Sequence, residues 1–191
     1  MGPISGVNSY YTLFNHGGPH VDAPKHLGLR GSVDSYPVES FAGPLKVFDF
    51  SDLETGRTIT PEMFEGKDIR PGDIVIIYTG YTPPETDQDL PETVTLTREA
   101  TEYLANIPVR AFGTEAWSVA NLQDKTPAVA DSELARAIPA HHSFLSRGIP
   151  LYESLFNVDR LLGKENMYFV GVPLNIKGGD GMMVRPVVLV Y

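Results

Sequence analysis

Segment 15–26, NHGGPHVDAPKH, holds three of the five histidines of this 191-residue chain, together with one aspartate. Imidazole and carboxylate groups bind divalent metal ions, and the chain contains no cysteine. Any metal site must therefore use nitrogen and oxygen ligands. Gly17, Gly18 and Pro19 prevent a continuous helix through this segment. A metal-binding loop or strand is predicted here, and the alternative is a histidine-rich surface loop.

The spacing favours an extended chain from His20 onward. His20 and Asp22 would then point to one side, about 6.6 Å apart at ~3.3 Å per residue. His26 would lie roughly 20 Å from His20 unless the chain bends at Pro24. The glycines before His20 allow a tight turn that returns His16 to its side. His16, His20 and Asp22 are thus candidate ligands of one ion, with His26 nearby.

A second candidate stretch is AHHSFLSRGIPLYESL (140–155), which contains His141, His142 and Glu153. Taken alone, one histidine of the pair would face solvent while the other would cap or pack, and Glu153 would be a solvated helix residue. Together with the first segment, the stretch supplies a further imidazole and carboxylate, and Asp22 could bridge two ions. Such ions activate water and polarise a carbonyl, and an unbound His26 would transfer the proton.

Two other features are less specific. The single tryptophan, Trp117, follows a predicted strand and either lines a substrate pocket or packs at a core edge. KGGDG (177–181) lacks the Lys-Ser/Thr pair and helix start of a phosphate-binding loop, so a turn between strands is predicted.

The composition excludes several classes of protein. The net charge is −9, from 24 acidic and 15 basic residues without a basic patch, which disfavours nucleic acid as a partner. No apolar run approaches the length of a membrane span. The N-terminus lacks the pattern of a signal peptide, so a cytoplasmic protein is expected.

Interleaved helix and strand patterns predict the elements that must position these residues. Strands are predicted at 44–51, 73–81, from 109, at 167–176 and at 184–191. Helices are predicted at 60–66, at 97–107 behind Thr97 as N-cap, and at 131–148 with a break near Pro139. The proline-rich stretch 83–93 is predicted as a surface loop. This order indicates a single α/β domain over 1–191 with a mixed sheet.

The stretch HGGPHVDAPKH resembles the His-x-Gly-Thr-His-x-Asp-x-Pro-x-His signature of the cyclase-like metal-dependent hydrolases, which include bacterial kynurenine formamidase and isatin hydrolase. AHHSFLSRGIPLYESL, FVGVPLNIKGGDGMMVRPVVLV and, more loosely, VRAFGTEAWSV also fit, so the resemblance extends from about Leu13 to Tyr191. It implies the swivelling β/β/α fold, homodimers or homotetramers, and one or two divalent ions per chain, with Zn or Mn expected.

The resemblance also implies roles for individual residues. The first ion would be held by His16, His20 and Asp22, and the second by Asp22, His141 and Glu153. His26 would be the general acid/base. His141 is preferred to His142 because the family's twelve-residue gap to the glutamate matches it. The implied chemistry is hydrolysis of a small amide, such as N-formylkynurenine to kynurenine plus formate.

A cyclic isatin-type amide and a non-catalytic metal- or small-molecule-binding role remain alternatives. Two departures from the family bear on this choice. Pro19 stands where the family usually has Thr, which removes a hydroxyl and a backbone donor beside the metal. Only fifteen residues precede His16, so the family's N-terminal segment is expected to be short or missing.

Overall fold

The computed structural model describes residues 9–84, 91–120 and 138–191, which form one α/β domain. The strands are β1 His20–Asp22, β2 Ala42–Asp49, β3 Thr58–Ile59, β4 Ile74–Tyr78, β5 Thr95–Leu96, β6 Ala111–Thr114, β7 Leu151–Glu153, β8 Met167–Val170, β9 Gly181–Met183 and β10 Val187–Val190. The α-helices of the described residues are α1 Arg98–Asn106 and α2 Pro139–Leu145. Single 3-10 turns occupy Pro24–Leu27, Val33–Ser35, Val38–Phe41, Pro61–Phe64 and Val158–Leu161.

Eight of these strands form one mixed sheet in the order β10-β8-β2-β4-β6-β7-β1-β9. The central strands β2, β4, β6 and β7 are parallel to one another, and the flanking strands pair antiparallel. β3 and β5 form a separate parallel pair. The fold class predicted from the sequence, α/β with a mixed sheet, is confirmed.

The sheet separates two hydrophobic cores. Strand β4 contributes Val75 and Ile77 to the core that contains the helices, and Ile74 and Ile76 to the opposite core. This alternation follows from the period of two in a strand, and explains why the strand is apolar throughout. Both faces of the central sheet are therefore covered.

Helix α2 is held against the sheet and against α1. Its Phe144 stacks on Phe112 of β6, with ring centroids 4.8 Å apart and planes 8° apart. Ser143 Oγ of α2 donates a hydrogen bond to Glu102 Oε1 of α1 at 2.8 Å, and Arg147 forms an ion pair with the same glutamate. These contacts hold the C-terminal half of α2 against the sheet and against α1.

Several predicted elements differ in extent from the observed ones. Thr97 caps α1 as expected, because its Oγ1 accepts a hydrogen bond from Ala100 N at 3.1 Å. The predicted helix 60–66 is a single 3-10 turn at Pro61–Phe64, and the strand predicted at 167–176 ends at Val170. In the prediction of 131–148, residues 131–137 lie outside the described residues, and the helix begins at Pro139. Residues 85–90 of the predicted loop also lie outside them.

Four short strands were not predicted: β3, β5, β7 and β9. Each has only two or three residues, too few for a periodic pattern to be recognised. β1 lies where an extended chain was predicted from His20 onward, and it forms one end of the sheet with β7 and β9, because it pairs with both. No helix among the described residues is long and apolar enough to cross a membrane.

Candidate metal centre

The pairing of β1 with β7 places three polar side chains on one face of the sheet. His20 lies opposite Glu153, and Asp22 lies opposite Leu151, which belongs to the core that contains the helices. Val21, between the two polar residues of β1, belongs to the opposite core. His20, Asp22 and Glu153 therefore point toward α2, and all three are buried.

The turn before β1 brings His16 to this group. Gly17 N donates to Phe14 O at 3.0 Å, and Gly18 adopts a left-handed φ of 64°. The ring of His16 then lies 5.1 Å from that of His20, centroid to centroid. His16 Nδ1 is 2.8 Å from Asp22 Oδ1. The tight turn that the glycines were predicted to allow is present, and it returns His16 to the side of His20.

The chain bends immediately after β1, as the sequence required if His26 was to reach the group. The extended conformation ends at Ala23, and Pro24–Leu27 form a 3-10 turn. The bend places the ring of His26 4.2 Å from that of His16 and 5.9 Å from that of His141. His26 is one-third exposed, unlike the deeper histidines.

Helix α2 supplies the remaining imidazole. His141 Nε2 lies 3.3 Å from Glu153 Oε1 and 3.5 Å from Asp22 Oδ2. Glu153 Oε1 also accepts a hydrogen bond from Val119 N at 2.9 Å, which orients the carboxylate. Of the adjacent pair, His141 is the buried ring facing the group, while His142 is only partly buried.

Hydrogen bonding prepares His20 to bind an ion through one nitrogen. Its Nδ1 lies 2.8 Å from Gly18 O, and a carbonyl only accepts, so Nδ1 carries the proton. In the neutral ring, Nε2 then carries the lone pair that can bind a metal ion. It lies 3.4 Å from Asp22 Oδ1 and 3.6 Å from Glu153 Oε2. Orientation of a ligand histidine through its second nitrogen is typical of metal sites.

The buried carboxylates favour a positive charge within this group of residues. Burial lowers the pKa of His141, but the charge of Glu153 and the contacts with Asp22 outweigh burial and raise the pKa to about 10. Burial raises the pKa of Asp22, yet the neighbouring imidazoles hold it well below its ordinary value. A divalent cation bound among these carboxylates would satisfy the same preference.

One buried atom carries the test of whether a metal fits. Asp22 Oδ2 is fully buried and makes no hydrogen bond among the described residues, although His141 Nε2 lies 3.5 Å from it. A cation bound there would satisfy this carboxylate oxygen. Imidazole and carboxylate ligands suit a divalent transition metal. The residues present therefore fit a metal ion.

The candidate ligand atoms form two groups, and these differ from the two ligand sets that the family resemblance implies. One group, within 4.8 Å of one another, is His20, Asp22 and Glu153, and the other is His16, Asp22 and His26. Asp22 belongs to both, as a bridging carboxylate would. All five predicted ligands and His26 are brought together, while their individual roles remain predictions.

Asp180 is a member of the site that the sequence did not reveal. Its Oδ2 lies 2.9 Å from His16 Nε2 and 3.6 Å from His26 Nδ1. The predicted turn KGGDG was correct in position, but Gly181 already begins β9. One acidic residue in a glycine-rich turn gives no signal of this contact, because the contact spans 164 residues of sequence.

A cavity of about 480 Å³ opens onto the histidines. Its apolar walls are Phe14, Trp117 and Ile138, and its polar floor includes His20, His141 and Glu153. Trp117 lines this cavity, as one of its two predicted alternatives required, and its Nε1 donates to Pro91 O at 3.1 Å. Apolar walls above a few convergent polar groups are typical of a small-molecule site.

Comparisons with known proteins identify the family to which this chain belongs. Residues 3–121 match the protein family Cyclase, described as "Putative cyclase". The kynurenine formamidase of Salinibacter ruber is 33% identical over 179 residues, which cover 92% of this chain and 76% of that protein. The chain belongs to this cyclase family.

Solved structures agree with the family assignment. The isatin hydrolase A of Labrenzia aggregata, bound to benzyl benzoate, is 27% identical with a TM-score of 0.75, covering 92% of this chain and 74% of that one. An isatin hydrolase bound to the product analogue thioisatinate has a TM-score of 0.78 at 23% identity, covering 94% of this chain and 74% of that one, and shows the fold alone.

Proposed function

We propose that this chain is a metal-dependent hydrolase that cleaves a carbon–nitrogen bond, other than a peptide bond, in a small amide. The observation that carries the proposal is the buried group around Asp22, whose Oδ2 has no hydrogen-bond partner among the described residues, at the floor of the cavity. The similarity to a kynurenine formamidase and to an isatin hydrolase supports amide hydrolysis. An aryl formamide such as N-formylkynurenine is the first candidate substrate.

Five residues would hold the metal: His16, His20, Asp22, His141 and Glu153. A divalent ion held by these residues would supply Lewis-acid chemistry, polarising a carbonyl and lowering the pKa of a bound water. Zn²⁺ and Mn²⁺ both suit these ligands, and the site would bind one or two ions per chain.

His26 would act as general acid/base at the rim of the cavity. Its Nδ1 faces Asp180 Oδ2 at 3.6 Å, which leaves Nε2 to exchange a proton with the substrate. Hydrolysis adds water across the C–N bond, so the leaving nitrogen needs one proton, and His26 would deliver it. Phe14 and Trp117 would hold the aryl group.

A cyclic amide is the second candidate substrate, favoured by the similarity to isatin hydrolase A. The deciding experiment loads the full chain with Zn²⁺ or Mn²⁺ and measures hydrolysis of N-formylkynurenine and of isatin side by side. Turnover of either assigns the substrate type. A metal-loaded chain that hydrolyses neither, nor any of a panel of amides and lactones, would instead be a non-catalytic metal-binding member of the family.

We also propose that the protein is a cytoplasmic homodimer or homotetramer. Cell fractionation would test the location, and sedimentation velocity would test the oligomeric state.

A further inference from the structure

We propose that Asp180 is a positioning residue of the metal centre, which accepts a hydrogen bond from His16 Nε2–H and so presents His16 Nδ1 to the ion. The inference rests on the metal site of the proposed function. It assigns a role to a residue in the turn before β9, far in sequence from all the predicted ligands.

The first step is the orientation of the His16 ring. Its two nitrogens face two carboxylates: Nδ1 is 2.8 Å from Asp22 Oδ1, and Nε2 is 2.9 Å from Asp180 Oδ2. Because Asp22 belongs to both groups of ligand atoms, the nitrogen beside it, Nδ1, is the one that would face an ion. A carboxylate on the far nitrogen fixes the tautomer and strengthens the imidazole as a ligand.

The second step is that Asp180 is itself held in place. Asn15 Nδ2 donates to Asp180 Oδ1 at 2.8 Å, which leaves Oδ2 for the histidine. The Asp180 carbonyl accepts from Ala23 N at 2.8 Å, directly after β1. Asp180 is therefore held through its carboxylate to the segment that carries His16 and through its backbone to the end of the strand that carries His20.

The third step concerns the neighbouring glycine. A Cβ on Gly181 would lie 2.5 Å from His16 Cε1, closer than carbon atoms approach without a shift. The absence of a side chain at position 181 thus allows the His16 ring to lie against β9. Hydrogen bonding by Asp180 and the space left by Gly181 constrain the same ring independently.

The test is the affinity for Zn²⁺ of the full chain, measured by competition with a fluorescent zinc chelator and without substrate. Asp180→Ala should raise the dissociation constant about 10- to 100-fold, the usual effect of removing such a partner. Gly181→Ala should weaken binding as well, because the added methyl displaces the His16 ring. Asp180→Asn, which keeps the shape of the side chain, replaces Asp180→Ala if that variant does not fold.

Asp34→Ala is the matched control. Asp34 Oδ1 accepts from Gly178 N at 2.8 Å, so this variant loosens the same turn without contacting a histidine. It should bind Zn²⁺ as the wild type does. Equal affinities for Asp180→Ala, Asp34→Ala and the wild type overturn the inference, as does a wild-type chain that binds no Zn²⁺. A chain that binds Zn²⁺ but hydrolyses no amide overturns the proposed function alone, and the affinities still decide the role of Asp180.

Discussion

The four buried candidate ligands and the proposed general acid/base differ in exposure to solvent. The side chains of His20, Asp22, His141 and Glu153 are at most 6% exposed, whereas that of His26 is 33% exposed at the cavity rim. Buried groups of opposite charge suit a bound cation, and an accessible imidazole suits proton transfer. His26 also lies within 4.8 Å of ligand atoms of His16 and Asp22, so a role as ligand must be separated from a role in proton transfer.

His26→Ala separates these roles. We expect Zn²⁺ content to be unchanged and kcat/KM for the amide substrate to fall about 10²- to 10⁴-fold, the usual contribution of a general acid/base. Elemental analysis gives the zinc content and initial rates give kcat/KM, both measured on one preparation. His142→Ala, at the partly buried neighbour of His141, is the control and should retain both. Loss of zinc in His26→Ala would make His26 a ligand, and unchanged turnover would remove its role.

At the scale of elements, α2 must be held in register for His141 to meet the strands. Glu102 of α1 holds it from outside, through Ser143 and Arg147. The pKa of Glu102 is lowered by hydrogen bonds from Arg147 and Ser143. A carboxylate with a lowered folded-state pKa stabilises the protein above its unfolded-state pKa, and this contribution is lost as the pH falls through the folded-state value.

Glu102→Gln should therefore lower the free energy of unfolding at pH 7 by less than about 1 kcal/mol, because the ion pair is partly exposed. The difference from the wild type should begin to shrink as the pH falls below 4.5, the usual pKa of glutamate, and should disappear below the lowered folded-state pKa of Glu102. Urea denaturation at both pH values measures it. Glu165→Gln, at an exposed glutamate before β8, is the control. A difference that persists or grows in acid would contradict this explanation.

At the scale of the whole molecule, the site joins parts of the chain that are far apart in sequence. Its residues come from the turn before β1, from β1, from α2, from β7 and from the turn before β9. An ion bound there would connect these segments in the folded state only, since the unfolded chain has no preformed site. Metal binding and global stability should thus be linked.

Removal of metal with a chelator should lower the Tm of the protein, and Zn²⁺ should restore it. With free Zn²⁺ at 100 times its dissociation constant, the stabilisation is about 2.7 kcal/mol. Scanning calorimetry of chelated and reloaded protein measures the shift. Asp22→Asn should lose it, since Asp22 belongs to both groups of ligand atoms, and His26→Ala should keep it. A Tm that does not depend on metal in the wild type would argue against a shared site.

The sequence by itself determined the α/β class, the cap at Thr97 and the candidate ligands, because these depend on local periodicity, backbone preference and residue type. His20 and Asp22 share a face through a spacing of two, and Gly17 and Gly18 permit the turn that returns His16. Only the tertiary structure decided that Glu153 lies on a strand opposite His20, and that Asp180 contacts His16. Strand register and long-range hydrogen bonds depend on how separate segments pack, and a three-residue strand or one acidic turn residue carries no local trace of that packing.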